Sequence, residues 1–111
     1  MINMADKIIA LACSAGMSTS LLVSKMQKAA EAEGKDYEIF AKSTSEAEDM
    51  LHATPKPDVL LLGPQVAYEK KRIGAMGAEL GVPVDVINMQ DYGLMKGEKV
   101  LKFAEGLMGI K

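Results

Sequence analysis

The chain has 111 residues, 49% of them hydrophobic and 25% charged, with 13 lysines and arginines against 15 aspartates and glutamates, and a single cysteine. Area scaling for this mass leaves roughly 6,000 Å² exposed of about 17,000 Å² in the unfolded chain, enough burial for one domain over residues 1–111 with no disulfide or metal to staple it. A net charge of −2 excludes a general nucleic-acid binder. No apolar stretch approaches the roughly 18 residues needed to insert into a membrane, residues 1–6 lack the basic and apolar regions of an export signal, and one cysteine suits a reducing cytoplasm.

In chain order, the apolar run Lys7–Ala12 predicts a strand buried on both faces. Leu22, Met26, Ala29 and Ala30 then recur at helical spacing up to Gly34, a candidate left-handed cap. Tyr37–Lys42 is a weaker, partly alternating strand. Ser43 and Glu46 have the spacing of a capping box, opening a short helix that must stop before Pro55 and Pro57. Asp58–Leu62 and Pro83–Ile87 are two further strands, separated by a helix from Val66 to Leu80 that ends at Gly81. A last helix, Gly97–Ile110, should bury Val100, Ala104, Leu107 and Met108. The alternation βαβαβαβα predicts an α/β fold: a four-stranded parallel sheet of order 2-1-3-4 with helices on both faces, flavodoxin-like or low-molecular-weight tyrosine-phosphatase-like. Ligands of such sheets sit beyond the carboxyl ends of the strands where strand order reverses, here beside the first strand.

At that place stand Cys13, Ser14, Ala15, Gly16, Met17, Ser18, Thr19 and Ser20. Small residues and a glycine let backbone N–H groups converge on one centre, and the start of the following helix adds partial positive charge, so the segment suits a phosphate. The serine and threonine hydroxyls serve equally as helix caps. Dipoles that favour a phosphate dianion also favour a thiolate, the nucleophilic form of Cys13. Free cysteine is commonly a core residue, but this one follows the apolar run and opens a polar turn, which makes it a candidate nucleophile.

Neither Gly-x-x-x-x-Gly-Lys-Ser/Thr nor Gly-x-Gly-x-x-Gly occurs. Protein tyrosine phosphatases use Cys-x-x-x-x-x-Arg, and the arginine position falls on Thr19. Without a guanidinium to compensate charge as water attacks, a phosphocysteine should persist until a designated acceptor arrives. That is the behaviour of a carrier.

The segment Cys13-Ser-Ala-Gly-Met-Ser-Thr-Ser-Leu-Leu-Val, with Leu60-Leu-Leu-Gly-Pro-Gln-Val-Ala-Tyr68, resembles the IIB component of the lactose/cellobiose/chitobiose family of the bacterial sugar phosphotransferase system. The similarity runs from about Lys7 to Met108 and favours the cellobiose/chitobiose branch. The resemblance implies a cytoplasmic phosphocarrier that takes phosphate from a phosphohistidine of the IIA component onto Cys13, holds it in the loop Ser14–Ser20, and passes it to a sugar bound by the membrane IIC component. That sugar is expected to be cellobiose, chitobiose or a related β-disaccharide. No cofactor or metal is expected, since the loop itself supplies the stabilising dipoles.

Two rival readings follow from the residues alone: a thiol phosphatase using Cys13 with Asp91 as general acid, and a non-catalytic module that grips a phosphorylated ligand. Gln65 and Tyr68 should approach the cysteine loop, either contacting a partner or forming only a turn and a half-buried ring. Met17 is a candidate partner contact, His52 a surface or helix-terminal residue, and Lys70-Lys71-Arg72 a solvated helix face.

Overall fold

A computed structural model describes residues 6–14 and 16–110, with residues 16–18 described by their backbone only. Four parallel strands, β1 (Lys7–Cys13), β2 (Tyr37–Ser43), β3 (Val59–Leu62) and β4 (Val84–Val86), form one sheet of order β2-β1-β3-β4, as the sequence predicts. Between and after them come α1 (Gly16–Ala32), α2 (Ala47–Leu51), α3 (Lys70–Leu80), α4 (Met89–Gly93) and α5 (Gly97–Leu107).

Side chains alternate across a strand, so each central strand feeds two cores. Ile9, Leu11, Val59 and Leu61 pack on one face against Leu22, Val23, Met26 and Ala30 of α1 and Val100, Leu101 and Ala104 of α5. Ala10, Ala12, Leu60 and Leu62 pack on the other against Ala47, Met50 and Leu51 of α2 and Ile73 of α3. Each large aliphatic side chain that is fully buried contributes about 1.5–3 kcal/mol. The helices α1 and α5 touch closely at Gly97: a Cβ there would lie 2.6 Å from the carbonyl carbon of Lys25 and 2.8 Å from the nitrogen of Met26. Only glycine lets the start of α5 rest on the middle of α1.

Several boundaries differ from the sequence expectations. Strand β1 runs one residue further and includes Cys13. The Ser43 hydroxyl accepts from Ser45 N at 3.2 Å and opens a 3₁₀ turn over Thr44–Glu46, so no reciprocal Glu46 cap forms. Helix α3 begins at Lys70 rather than Val66, because Pro64 starts a 3₁₀ segment in which Val66 has non-helical φ −118° and ψ 27°. Its end matches: Gly81 sits in the left-handed region at φ 75°. The last helix stops at Leu107, with Gly109 at φ 81° just beyond, and leaves Leu107 and Met108 half-buried while Leu101 takes the core position. Helix α4 is an addition. His52 does sit, exposed, at the C-terminal end of α2, and Lys70, Lys71 and Arg72 are solvated.

Candidate functional site

Cys13 closes β1 where the sheet order reverses, paired in register with Ser43 on one side. On the other, Gly63 N donates to the Ala12 carbonyl at 2.9 Å. A Cβ on Gly63 would stand 3.3 Å from the Cys13 Cβ and 3.1 Å from Oε1 of Gln65. The missing side chain therefore brings β3 against the cysteine and leaves room for the Gln65 amide to fold back beside it.

Thr19, in the first turn of α1, points inward and is 1% exposed. Its hydroxyl donates to Cys13 Sγ at 2.8 Å and lies 2.9 Å from the Tyr92 hydroxyl. Because the threonine proton is committed to sulfur, Tyr92 donates to Thr19, and the three groups form a directed chain, Tyr92 to Thr19 to Cys13. Tyr92 arrives on α4, whose start is fixed by the Asn88 side chain accepting from Gln90 N at 2.8 Å and Asp91 N at 3.1 Å. Cys13 itself is 3% exposed. Burial alone fits a core cysteine, but the sulfur is met by a hydroxyl.

The other loop residues divide. Ser14 and Ser20 are exposed, and Gly16 opens α1. Ala15 and the side chains of Met17 and Ser18 lie outside the described residues, and with them the expected partner contact of Met17. Tyr68 is 78% exposed, far more open than a half-buried ring. Asp91 occupies the turn that places Tyr92, and it is Tyr92 that reaches Thr19.

Sequence reasoning passed over Tyr92, although Asn88, a strong cap residue four positions earlier, marks a short helix. It also passed over a second polar cluster at the opposite edge of the sheet. There Glu105 of α5, 7% exposed, accepts from the Tyr37 hydroxyl at 2.7 Å and from Lys35, which also pairs with Glu33 at 3.1 Å. Burial works against the Glu105 carboxylate, yet hydrogen bonds from Lys35 and Tyr37 outweigh it and hold the carboxyl below its ordinary range. Hydrogen bonding to Glu105 and Glu33 raises Lys35, and burial followed by the Glu105 hydrogen bond raises Tyr37. Among the described residues no cluster of three or more potential metal ligands occurs, and no helix is long and apolar enough to cross a membrane.

A four-stranded parallel α/β sheet of order 2-1-3-4, with a hydroxyl-bonded thiol at the end of a central strand, defines the class of fold. Comparison with known proteins narrows that class. The family described as "PTS system, Lactose/Cellobiose specific IIB subunit" matches residues 8–103. The galactose-specific EIIB component of Lactococcus lactis subsp. cremoris and the cellobiose-specific EIIB component of L. lactis subsp. lactis are each 68% identical over 107 residues, 95% of this chain and 99% of theirs. The oligo-beta-mannoside-specific EIIB component of Bacillus subtilis is 39% identical over 92% of this chain and 96% of its own. The solution structure of the cellobiose-specific IIB component from Borrelia burgdorferi superposes with TM-score 0.75 at 37% identity, covering 93% of this chain and 92% of that one. The lactose-specific IIB domain of Streptococcus pneumoniae shares the fold, with TM-score 0.75 at 17% identity over 87% and 92% of the two chains. The chain belongs to the lactose/cellobiose-specific IIB family of the sugar phosphotransferase system, and is a subunit of a sugar phosphotransferase.

Proposed function

We propose that Cys13 is the phosphoryl carrier of this subunit. Its thiolate attacks the phosphorus of a phosphohistidine on the IIA component in line, the S–P bond forms as the N–P bond breaks, and the imidazole leaves with the electron pair. A hydroxyl of a sugar held by the membrane IIC component then attacks the same phosphorus; the O–P bond forms, the S–P bond breaks, and the hydroxyl proton is released. Backbone N–H groups of Ser14, Ala15, Gly16, Met17, Ser18, Thr19 and Ser20 hold the dianion, and the exchange takes place in the cytoplasm.

The observation that carries this reading is the Thr19 hydroxyl at 2.8 Å from sulfur. It occupies the sequence position where thiol phosphatases keep arginine, and a neutral donor stabilises a thiolate or phosphocysteine without the fixed charge that speeds attack by water. Among the described residues, the large apolar side chains most open to solvent, Leu21, Tyr68, Met89 and Leu94, lie on segments that follow the carboxyl ends of β1, β3 and β4. Exposed apolar surface at the same edge as the thiol suits docking of the donor and the acceptor in turn. At 3% exposure the sulfur must be uncovered as a partner docks. The sugar follows the permease: two relatives of equal similarity are named for galactose and for cellobiose, and a β-linked disaccharide such as cellobiose or chitobiose fits the family.

Incubation with phosphorylated IIA should give the phosphorus NMR resonance of a thiophosphate ester on the wild type and none on Cys13→Ser. A wild type without that signal, or a Cys13→Ser variant that keeps it, refutes the assignment. Turnover of a small aryl phosphate without partners should be negligible; steady turnover would restore the phosphatase reading with Asp91 as acid.

A further inference from the structure

Away from the thiol, α1 and α5 border an open groove of about 620 Å³. It is lined by Lys25 and Lys28 of α1, by Lys96 just before α5 and by Lys99 and Lys102 within it, against one acidic residue, Glu98. The spacing of three on both helices turns like charges toward one another, which costs stability. None of these five lysines touches a described carboxylate as an ion pair, whereas Lys35, Lys70 and Arg72 do; Lys102 alone adds a longer-range attraction to Glu105. In a chain of net charge −2, this is a local excess of positive charge.

Three further features mark the groove as built. Ala29, Met95 and Gly97 complete its lining. Met95 holds φ 54°, a left-handed conformation unusual for a large side chain and the only non-glycine residue so placed among those described. The close approach of Gly97 to Lys25 and Met26 fixes the two helices relative to each other, so the groove exists before anything enters it. The N-terminus of α5, which has no side-chain cap, opens on the same wall.

We propose that this groove is a second anion site, separate from the cysteine loop, that takes an organic or inorganic anion bearing two or more phosphate groups. Its volume is that of a small-molecule site, and lysine is a point-charge phosphate binder whose repeated use suits several phosphates at once.

An NMR titration of the isotope-labelled full chain with pyrophosphate and with ATP tests this. Amide shifts should centre on Lys25–Ala29 and Met95–Lys102, with inorganic monophosphate binding at least roughly tenfold more weakly and all affinities falling as salt is added. Lys28→Ala with Lys99→Ala should weaken pyrophosphate binding by roughly tenfold or more, while Lys70→Ala with Lys71→Ala leaves it unchanged. Phosphoryl acceptance at Cys13 should survive the first pair, which reports that the variant is folded; if it does not fold, the single Lys28→Gln and Lys99→Gln variants carry the same expectation at smaller size. Shifts confined to residues 13–20, shifts spread evenly over every surface lysine, or tighter binding of a glutamate-rich peptide or of phosphatidylglycerol vesicles at the same residues would each overturn the proposal.

Discussion

At the carboxyl edge of the sheet Tyr92, Thr19 and Cys13 form a buried chain of two hydroxyls ending on sulfur. At the opposite edge Glu105 is buried as a carboxylate with Lys35 and Tyr37 already turned toward it. Both clusters bridge α1 or its end to a C-terminal helix, and both satisfy their polar atoms, since no buried side-chain nitrogen or oxygen among the described residues lacks a partner. They differ in when the charge is present. The Glu105 cluster holds a permanent charge and so stabilises a fold. The Cys13 cluster is arranged around a group whose charge, on the proposed reading, comes and goes, and hydroxyl dipoles can receive such a charge without leaving a bare cation buried when it departs.

Substitutions at the two edges should therefore separate transfer from stability. The largest effect is expected for Cys13→Ser, which should abolish phosphoryl acceptance and leave the unfolding midpoint within a few degrees of wild type, because the change is one atom in a small buried side chain. Thr19→Val keeps the shape and removes the donor to sulfur. Hydrogen bonds to charged groups contribute about 1.5–3 kcal/mol, so the rate of phosphocysteine formation in rapid-quench experiments should fall roughly 10- to 100-fold. Tyr92→Phe acts one step further away and should slow the same reaction only about two- to fivefold, since Thr19 keeps its own proton for sulfur. An equal loss in Tyr92→Phe and Thr19→Val would mean that the phenol, rather than the threonine, organises the site.

The strand order was legible because Ile8–Cys13 and Val59–Leu62 are apolar on both faces and because helix-forming spacing separates the strands. Gly34 announced its left-handed turn, and Gly81 the end of its helix. What escaped were features that depend on distant partners. Tyr92 lies 73 positions from Thr19, and Glu105 lies 70 from Lys35, so no local pattern joins them. Glu105 in particular sits on a helix where a glutamate is expected in solvent; only the packed position of α5 reveals that its neighbours bury it. Helix α4 was missed because five residues are too few for periodicity to show, and the Asn88 cap was its only local signal.

The permanent charge should show itself in stability alone, and its dependence on pH distinguishes the two edges. The Glu105 carboxyl titrates below its ordinary value of 4.5 in the folded chain. As pH falls through that value the unfolded chain takes up the proton first, so the stability contributed by this group is complete above it and is lost as pH drops toward the lower, folded value. Tyr37→Phe removes one of its donors and should cost about 1 kcal/mol in urea unfolding at neutral pH, the modest figure reflecting that Tyr37 is only half-buried. The cost should narrow in acid, because a protonated Glu105 is a weaker acceptor and draws less from the phenol it has lost. Phosphoryl acceptance measured at neutral pH should be untouched. A Tyr37→Phe variant whose destabilisation is constant from neutral pH down into the acid range would show that the ring packs there rather than serving the carboxylate, and the contrast between a charge-holding and a charge-receiving edge would lose its lower half.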